Sequence, residues 1–310
     1  MKILIIGSDG QMGTDLMKVF QENNKISDSV VKRLGAQQNH WSVKGLTIKD
    51  LDITDFPKAR KTIEEYKPSI VVNTAAYHNV PECEKNPEQA FVVNTVAVRN
   101  LANICRLFNI KLIHFSTDYV FDGRKMRPYN EDDAPNPLNV YAISKLAGEF
   151  FVKLIPDYYV IRVASLFGTA GCMGKGGTNF LETMLKLAGN GKSADSPADR
   201  GKPLQITSNI TSSPTYTYDA AIKIKEMLEQ NYPPGLYHLT NSGSCTWYEF
   251  AQEIFKRANL KVKVEPKEEQ EEQAGVKRPL FSALTSKKLT PLRPWQEAVK
   301  HYLSSRAKEK

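Results

Sequence analysis

A tyrosine and a lysine stand four residues apart in the segment Tyr141-Ala-Ile-Ser-Lys145. On a helix, this spacing places both side chains on one face. The ammonium of Lys145 would then stabilise the phenolate of Tyr141 and lower its pKa, which is about 10 in an unperturbed tyrosine. A phenol of this kind can give its proton to a carbonyl oxygen, which is the role of a general acid.

Thr117, which precedes Tyr141 in the sequence, could supply a hydroxyl group for the same reaction. Thr117 follows the apolar run Lys111–Ser116, which predicts a buried strand. At the end of that strand, the hydroxyl could hold the carbonyl oxygen that Tyr141 protonates. A tyrosine–lysine pair alone is common on solvated helix surfaces, but the Ser-Thr pair and the Pro-Leu-Asn-Val run before Tyr141 favour a catalytic set.

Three glycines punctuate the segment Gly7-Ser-Asp-Gly-Gln-Met-Gly13, which follows the first apolar run and opens a predicted helix. Glycine permits a tight turn, a close approach of the backbone to a pyrophosphate, and packing of the helix on the strand. The helix N-terminus would face the anion. Glycines also mark ordinary turns, but their place between a strand and a helix favours a dinucleotide site.

Two later segments fit the same ligand. Leu51–Asp55 is expected to end a strand, where Asp52 can accept a hydrogen bond from an adenine amino group. Asn73–Tyr77 ends the next strand with small residues, which leave room for ribose and phosphates. Taken alone, the first segment could supply a helix N-cap at Thr54 or Asp55, and the second could be a packing site.

The elements that must position these residues alternate along the first half of the chain. Buried strands separated by helix-length amphipathic segments predict an α/β fold with a doubly wound, Rossmann-type parallel sheet. We predict a dinucleotide-binding domain over residues 1–165 and a smaller substrate-binding domain mainly over 166–310. Residues from about 205 to 240 are expected to return to the first domain. The apolar runs are Ile3–Ile6, Ile70–Asn73, Lys111–Ser116 and Tyr158–Val163.

Composition excludes several classes of protein. In 310 residues, 41% are hydrophobic and 25% charged, and no apolar run reaches the roughly 18–20 residues that cross a bilayer. We therefore expect a cytoplasmic protein with no membrane partner. The net charge of +8 comes from basic residues spread along the chain, so no nucleic-acid partner is expected. Four cysteines without a CxxC pair predict neither a metal site nor a disulfide framework.

Several segments, taken in order, resemble a known family. GSDGQMG, LDITD, VVNTAAY, HFSTDYVFDG and PLNVYAISKLAGE are similar to the extended short-chain dehydrogenase/reductase superfamily, and within it to the dTDP-4-dehydrorhamnose reductase family. NFLETMLKLA, SSPTYTYDAA and GLYHLTNSGSCTWYEFA extend the resemblance, which runs from about Met1 to Trp295. It implies reduction of the C4 ketone of a dTDP-4-keto-6-deoxyhexose by NADPH or NADH, giving dTDP-L-rhamnose.

The resemblance also implies roles for individual positions. Thr117, Tyr141 and Lys145 match the catalytic residues, and Lys145 would also bond the nicotinamide ribose. The implied cofactor contacts lie in the glycine turn for the pyrophosphate, after the second strand for the adenine, and after the third for the middle of the cofactor. They are Gly7, Gly10, Gln11, Met12 and Gly13, then Asp52 and Ile53, then Ala75, Ala76 and Tyr77.

Recognition of the sugar departs from the family pattern. Many relatives carry a tryptophan near Ser165 that packs on the sugar, so an isomeric product or another 4-keto sugar stays open. The glycine-rich loop 168–178 could cover the sugar instead. Candidate substrate contacts are His78, Phe167 and Arg278, the last because a guanidinium pairs bidentately with phosphate. His114 is expected to be a packed histidine, not a base.

Two further questions concern cofactor and class. Thr47, Ile48 and Lys49 are expected at the end of the second strand, with no carboxylate placed to repel a 2′-phosphate, which favours NADPH over NADH. A non-catalytic NADP-binding regulatory subunit, as in methionine adenosyltransferase, is an alternative, as is another nucleotide-sugar ketoreductase or epimerase. A dehydratase is disfavoured because Asp118-Tyr119 replaces its Asp-Glu pair.

The resemblance is also compatible with a homodimer.

Overall fold

The structure is a computed structural model, and it describes residues 1–22, 41–171, 176–190, 202–270, 272–273 and 275–308. Residues 172–175, within the glycine-rich loop that could cover the sugar, lie outside the described residues. Within the described part, no helix is long and apolar enough to cross a membrane, and no group of three or more side chains could hold a metal ion. The described cysteines that are buried and free are Cys83, Cys105 and Cys245.

Strands and helices alternate through the first half of the described chain. The strands are β1 (Lys2–Ile6), β2 (Ser42–Leu46), β3 (Ile70–Asn73), β4 (Lys111–Thr117), β5 (Tyr158–Val163), β6 (Leu166–Phe167), β7 (Leu204–Thr207), β8 (Thr211–Ser212), β9 (Thr215–Tyr216), β10 (Gly235–His238), β11 (Asn241–Ser242), β12 (Cys245–Thr246), β13 (Val264–Lys267), β14 (Glu272–Gln273), β15 (Val276–Lys277) and β16 (Leu292–Pro294). The helices are α1 (Gln11–Glu22), α2 (Phe56–Tyr66), α3 (Val80–Lys85), α4 (Pro87–Phe91), α5 (Ala97–Leu107), α6 (Val140–Val152), α7 (Phe180–Leu185), α8 (Thr217–Glu229), α9 (Trp247–Arg257) and α10 (Trp295–Lys308).

The central sheet is parallel, as the apolar runs predicted. Among the described residues it has six strands in the order β10–β5–β4–β3–β1–β2. Successive side chains of a strand point to opposite faces, and both faces are buried here. Ile3 and Ile5 pack against α1 and α8, whereas Leu4 and Ile6 pack against α2 and α5. Helices on both faces confirm the doubly wound, Rossmann-type fold.

A separate apolar cluster lies in the later part of the chain. It joins α7, α9 and α10 to β7 and contains a group of aromatic rings. By contrast, β10 pairs with β5 in the central sheet, and α8 packs on the same core as α1. Both elements fall within the 205–240 range that was expected to return to the first domain. The division of the chain into domains at residue 165 stays a prediction.

Candidate active site

The site lies at the carboxyl ends of the central strands. The chain passes from β1 to β2 on one side, while β3 pairs with β1 on the other. Ligands of doubly wound sheets bind in the crevice at such a reversal of strand order. The hydroxyl of Thr74 ties the edges of this crevice together, because it donates to the carbonyl oxygens of Ile6 at 2.8 Å and Gly7 at 2.9 Å.

The glycine turn is a backbone-lined cradle. Gly7 has a φ of 80°, which side-chain-bearing residues rarely adopt. A Cβ on Gly13 would lie 2.1 Å from the carbonyl oxygen of Gly7, so only glycine lets α1 start this close to the turn. The first N–H groups of a helix have no acceptor within it, so those of α1 face the cradle. This arrangement fits a pyrophosphate.

Two neighbouring residues of the turn have distinct positions. The amide of Gln11 donates through Nε2 to the carbonyl oxygen of Leu166 at 3.2 Å, which links the turn to β6. The side chain of Met12 is 4% exposed and lies in the core between the sheet and α1. Any contact of Met12 with a cofactor therefore comes from its backbone.

The segment expected to contact adenine is not a strand. Residues 47–55 form turns between β2 and α2. The carboxylate of Asp52 accepts from the backbone and hydroxyl of Thr54, at 2.8 and 2.7 Å, and Ile53 is buried in the core. Asp55 is the N-cap of α2 and accepts from the N–H of Lys58. The expectation of a strand over Leu51–Asp55 was wrong, because these polar side chains bond the local backbone instead.

A carboxylate does stand at the end of the second strand. β2 ends at Leu46, so Thr47, Ile48 and Lys49 follow it as expected. Asp50, however, accepts from the N–H and the hydroxyl of Thr47 at 2.9 and 2.8 Å. These bonds lower the pKa of Asp50, which keeps it charged. Asp50 thus joins the residues that follow β2, and the expectation that no carboxylate is placed to repel a 2′-phosphate stays a prediction.

The segment after β3 is held by asparagines. Oδ1 of Asn73 accepts from the N–H of Ala75 at 3.1 Å. Asn94 is buried in a π-helical turn between α4 and α5, and it bonds both the N–H and the carbonyl of Tyr77, at 2.9 and 2.8 Å. Sequence reasoning missed Asn94. The available signal was a polar residue within an otherwise apolar helical stretch.

Helix α6 carries Tyr141 and Lys145 on one face, as their spacing predicted. Its N-cap is Asn139, whose Oδ1 accepts from the N–H of Ala142 at 2.9 Å. The other amide atom of Asn139 donates to the carbonyl oxygen of Lys277 at 2.9 Å, which attaches the end of β15 to the start of the helix. The segment preceding Arg278 is thereby attached to the helix that carries Tyr141 and Lys145.

Tyr141 is partly buried, and its ring meets that of Tyr119 edge to face at 6.2 Å. Burial raises the pKa of Tyr141, while a hydrogen bond with Thr117 lowers it. The net direction is opposite to the one expected from the spacing. The cause is burial of the phenol, which outweighs the hydrogen bond with Thr117. Nζ of Lys145 donates to the carbonyl oxygen of Phe115 at 2.6 Å.

Lys145 is 3% exposed, and burial lowers its pKa to about 8. Glu149, one turn further along α6, acts in the opposite direction. Glu149 itself forms a fully buried ion pair with Arg162 of β5, with two hydrogen bonds of 2.8 Å. This pair fixes α6 to the sheet beside Lys145, and the sequence analysis did not identify it.

Thr117 is the last residue of β4, so the strand ends one residue later than the predicted run Lys111–Ser116. Its hydroxyl donates to Asp118 at 3.1 Å and accepts from the N–H of Tyr119 at 3.2 Å. Asp118 is buried, which raises its pKa to about 6 despite hydrogen bonds from Ser282 at 2.5 Å and Ser212 at 3.4 Å. Thr117, a predicted catalytic residue, is thus linked to a buried carboxyl whose pKa is about 6.

The three candidate substrate contacts have different positions. His78 is partly buried beside the crevice, with Nδ1 3.1 Å from the carbonyl oxygen of Ala76. Arg278 hydrogen-bonds Tyr119 and lowers its pKa, although burial raises that pKa to about 12 overall. Phe167 is 0% exposed and its ring stacks on that of Tyr216. A direct role for Phe167 in substrate binding was therefore a wrong expectation, because it is a core residue.

Comparison with known proteins identifies the family. Residues 1–307 match the family model described as the RmlD substrate binding domain. The chain belongs to this family. It is 33% identical over 311 residues to the spore coat polysaccharide biosynthesis protein SpsK of Bacillus subtilis. This match covers 99% of this chain and 98% of the relative. It is also 33% identical to the dTDP-4-dehydrorhamnose reductase of Streptomyces griseus, over 96% of this chain and 91% of the relative.

A solved structure extends the likeness to three dimensions. The dTDP-4-dehydrorhamnose reductase of Bacillus anthracis in complex with NADP superposes with a TM-score of 0.83 at 30% identity. The match covers 98% of this chain and 99% of that one. The predicted membership of the dTDP-4-dehydrorhamnose reductase family is therefore confirmed. The roles of the individual site residues stay predictions.

Proposed function

We propose that the chain reduces the C4 ketone of a dTDP-4-keto-6-deoxyhexose, with dTDP-4-dehydro-L-rhamnose as substrate and dTDP-L-rhamnose as product. The observation that carries this proposal is the convergence of Thr117, Tyr141 and Lys145 at the carboxyl end of β4, in the crevice that also contains the glycine turn. Relatives named for this activity, one of them solved with NADP, support it.

The residues divide the work of the reaction. The glycine turn would hold a nicotinamide dinucleotide, whose chemistry when bound would be the supply of a hydride to the carbonyl carbon. Tyr141 donates its phenolic proton to the carbonyl oxygen, so that the ketone becomes a secondary alcohol and the phenol becomes a phenolate. Lys145, four residues further along α6, stabilises that phenolate by its charge. Solvent then returns one proton to Tyr141.

Thr117 can assist only when its hydroxyl is available. It donates to Asp118 in the structure, so its proton is already engaged. When Asp118 is protonated, that bond weakens, and the hydroxyl of Thr117 can donate to the carbonyl oxygen of the substrate. The pKa of about 6 at Asp118 makes this exchange accessible near neutral pH.

NADPH is the preferred reductant in this proposal. Lys49 is exposed after β2, where the adenine ribose of a doubly wound fold binds, and its charge suits a 2′-phosphate. Asp50 opposes this preference, because its carboxylate stays charged beside Thr47. NADH is therefore expected to serve as a weaker second cofactor.

The identity of the sugar depends on the surroundings of Ser165. Ser165 adopts a φ of 44°, and its hydroxyl donates to that of Ser212 at 2.8 Å. A small polar side chain therefore stands at a position near which many relatives carry a tryptophan. This difference favours another dTDP-4-keto-6-deoxy sugar as a second candidate substrate.

The remaining expectations stay part of the proposal. Exposed apolar side chains on and just after α6, with Phe150 58% and Leu154 71% exposed, support a homodimer. A cytoplasmic location and the lack of a nucleic-acid partner are predictions from composition alone.

The decisive experiment follows oxidation of NADPH with dTDP-4-keto-L-rhamnose generated in situ, for the wild type and for Tyr141→Phe. We expect turnover in the wild type and a loss of about 10²–10⁴-fold in the variant, since a general acid contributes about that much. Tyr158→Phe removes a phenol at the opposite end of β5 from the site and is the matched control, for which we expect unchanged turnover. A wild type that binds NADPH but reduces none of several 4-keto sugars would instead indicate a regulatory subunit.

A further inference from the structure

A buried histidine lies directly beside Lys145. His114 of β4 is fully buried, and its Nε2 lies 3.4 Å from Nζ of Lys145. The other ring nitrogen, Nδ1, lies 3.2 Å from Nδ2 of Asn73 on the adjacent strand β3. Both ring nitrogens therefore have polar partners. The sequence analysis assigned His114 to packing alone, which does not account for this arrangement.

The backbone N–H of Ala75 determines the direction of these hydrogen bonds. A backbone N–H can only donate, and this one bonds Oδ1 of Asn73 at 3.1 Å. Nδ2 of Asn73 therefore faces His114 and donates to Nδ1. Burial keeps the imidazole of His114 neutral by lowering its pKa well below the usual value. A neutral imidazole has one N–H, which must then be on Nε2, facing Lys145.

An N–H directed at Nζ discriminates between the two forms of the lysine. An ammonium has three donors and no acceptor, whereas an uncharged amine has a lone pair that can accept. Nζ of Lys145 also donates to the carbonyl oxygen of Phe115 at 2.6 Å, which either form can do. Donation from Ala75 to Asn73, from Asn73 to His114 and from His114 onward ends at Nζ of Lys145, where only the uncharged amine can accept.

Other charged and titratable groups near Lys145 come from its own helix, from β5 and from the residue after β4. Glu149 favours the charged lysine, but its carboxylate is shared with a guanidinium from the sheet. The π-helical turn packed on α6 contributes the neutral amide of Asn94, bonded to Ser144 at 3.0 Å. The charged and titratable groups around Lys145, apart from His114, are Tyr141, Glu149, Lys153, Arg162 and Asp118.

Resting on the proposed reductase function, we propose that Asn73 and His114 are positioning residues that direct a hydrogen-bond donor at Nζ of Lys145 and so determine at which pH this lysine is charged. The phenolate of Tyr141 needs the ammonium form during reduction. Activity is thus lost as Lys145 deprotonates, and the Asn73–His114 pair sets the position of that alkaline limb. Neither residue touches the substrate in this role.

The first test needs neither cofactor nor substrate. The chain is labelled with ¹⁵N-histidine, and the signals of His114 are assigned by their absence in His114→Gln. We expect shifts of a neutral ring with the proton on Nε2 throughout the pH range in which the protein is folded. A proton on Nδ1, or a charged ring near neutral pH, would overturn the proposal.

The second test titrates Lys145 through its ¹³C-labelled Cε, assigned by Lys145→Arg. Asn73→Asp keeps an acceptor for Ala75 but accepts from Nδ1, which moves the ring proton away from Nε2. We expect the titration of Lys145 to shift to higher pH by about one unit, the size of one hydrogen bond of ordinary strength. His114→Leu removes the donor and should shift it in the same direction. His114→Gln, whose amide can still donate, should stay close to the wild type.

The alkaline limb of kcat/KM should move with the lysine in each variant. An unchanged lysine titration in folded Asn73→Asp and His114→Leu would overturn the inference. Because the spectra are recorded without substrate, they separate this inference from the proposed activity. A chain that reduces no keto sugar but shows the predicted spectra would fail only the proposed function.

Discussion

Tyr141 lies between two buried polar groups that are built in different ways. The sheet side consists of Asn73, His114, Lys145, Glu149 and Arg162, and comes from β3, β4, β5 and α6. The carboxyl-terminal side consists of Thr117, Asp118, Ser212 and Ser282, and Asp118 meets its two serines across 94 and 164 residues of chain.

The two groups differ in the partner of their buried carboxyl group, and this partner determines whether the carboxyl is ionised. On the sheet side, burial would raise the pKa of Glu149, but the guanidinium of Arg162 outweighs this effect. The pKa of Glu149 is therefore lowered, and its carboxylate stays ionised. On the carboxyl-terminal side, Asp118 meets hydroxyl groups, which stabilise a carboxylate less than a cation does. Its pKa is raised in consequence. One side should therefore contribute fixed charge, and the other a proton that exchanges near neutral pH.

The largest expected effect is on the sheet side. Glu149→Gln keeps the shape of the side chain but leaves the guanidinium of Arg162 without a counter-charge, which should cost about 3–5 kcal/mol of unfolding free energy. Denaturant unfolding measures this. Glu65→Gln breaks an exposed pair with Lys61 and should change stability by less than about 1 kcal/mol. Equal losses in the two variants would contradict the assigned role of the buried pair.

The second effect is a dependence on pH from the carboxyl-terminal side. The folded pKa of Asp118 is raised from 3.8 to about 6, so the unfolded chain releases this proton first as the pH rises. Stability should fall by about 3 kcal/mol between about pH 4 and pH 7, since each pKa unit corresponds to about 1.4 kcal/mol. Asp118→Asn should remove that component of the slope, whereas exposed Asp132→Asn should leave it. Parallel slopes for the wild type and Asp118→Asn would refute this assignment.

The smallest effect separates the two serines that bond Asp118. Ser282→Ala removes a bond of 2.5 Å and should cost about 1–2 kcal/mol, whereas Ser212→Ala removes one of 3.4 Å and should cost less. Ser282→Ala should also raise the pKa of Asp118 further, which moves the pH dependence of stability upward. Unfolding curves at several pH values test both statements, and a larger loss in Ser212→Ala would contradict the ranking.

Sequence reasoning was most accurate where local patterns carry the information. Apolar runs predicted β1, β3, β4 and β5, and the tyrosine–lysine spacing predicted a shared helix face. It was wrong at Leu51–Asp55, where hydrogen bonds within the turn replace the expected strand, and at Phe167, which lies in an aromatic cluster. Burial of an aromatic residue depends on elements distant in sequence, so its own neighbours did not reveal it.

By itself, the sequence determined the parallel sheet, the glycine turn and the helix that carries Tyr141 and Lys145, because strand and helix periodicity and glycine conformation are local properties. Only the tertiary structure decided the protonation of those side chains. The contact between His114 and Lys145 and the hydrogen bond from Ser282 to Asp118 join residues that lie on different elements. Their effect on a proton depends on burial and on the direction of each donor, which arise when the strands and the later segments pack together.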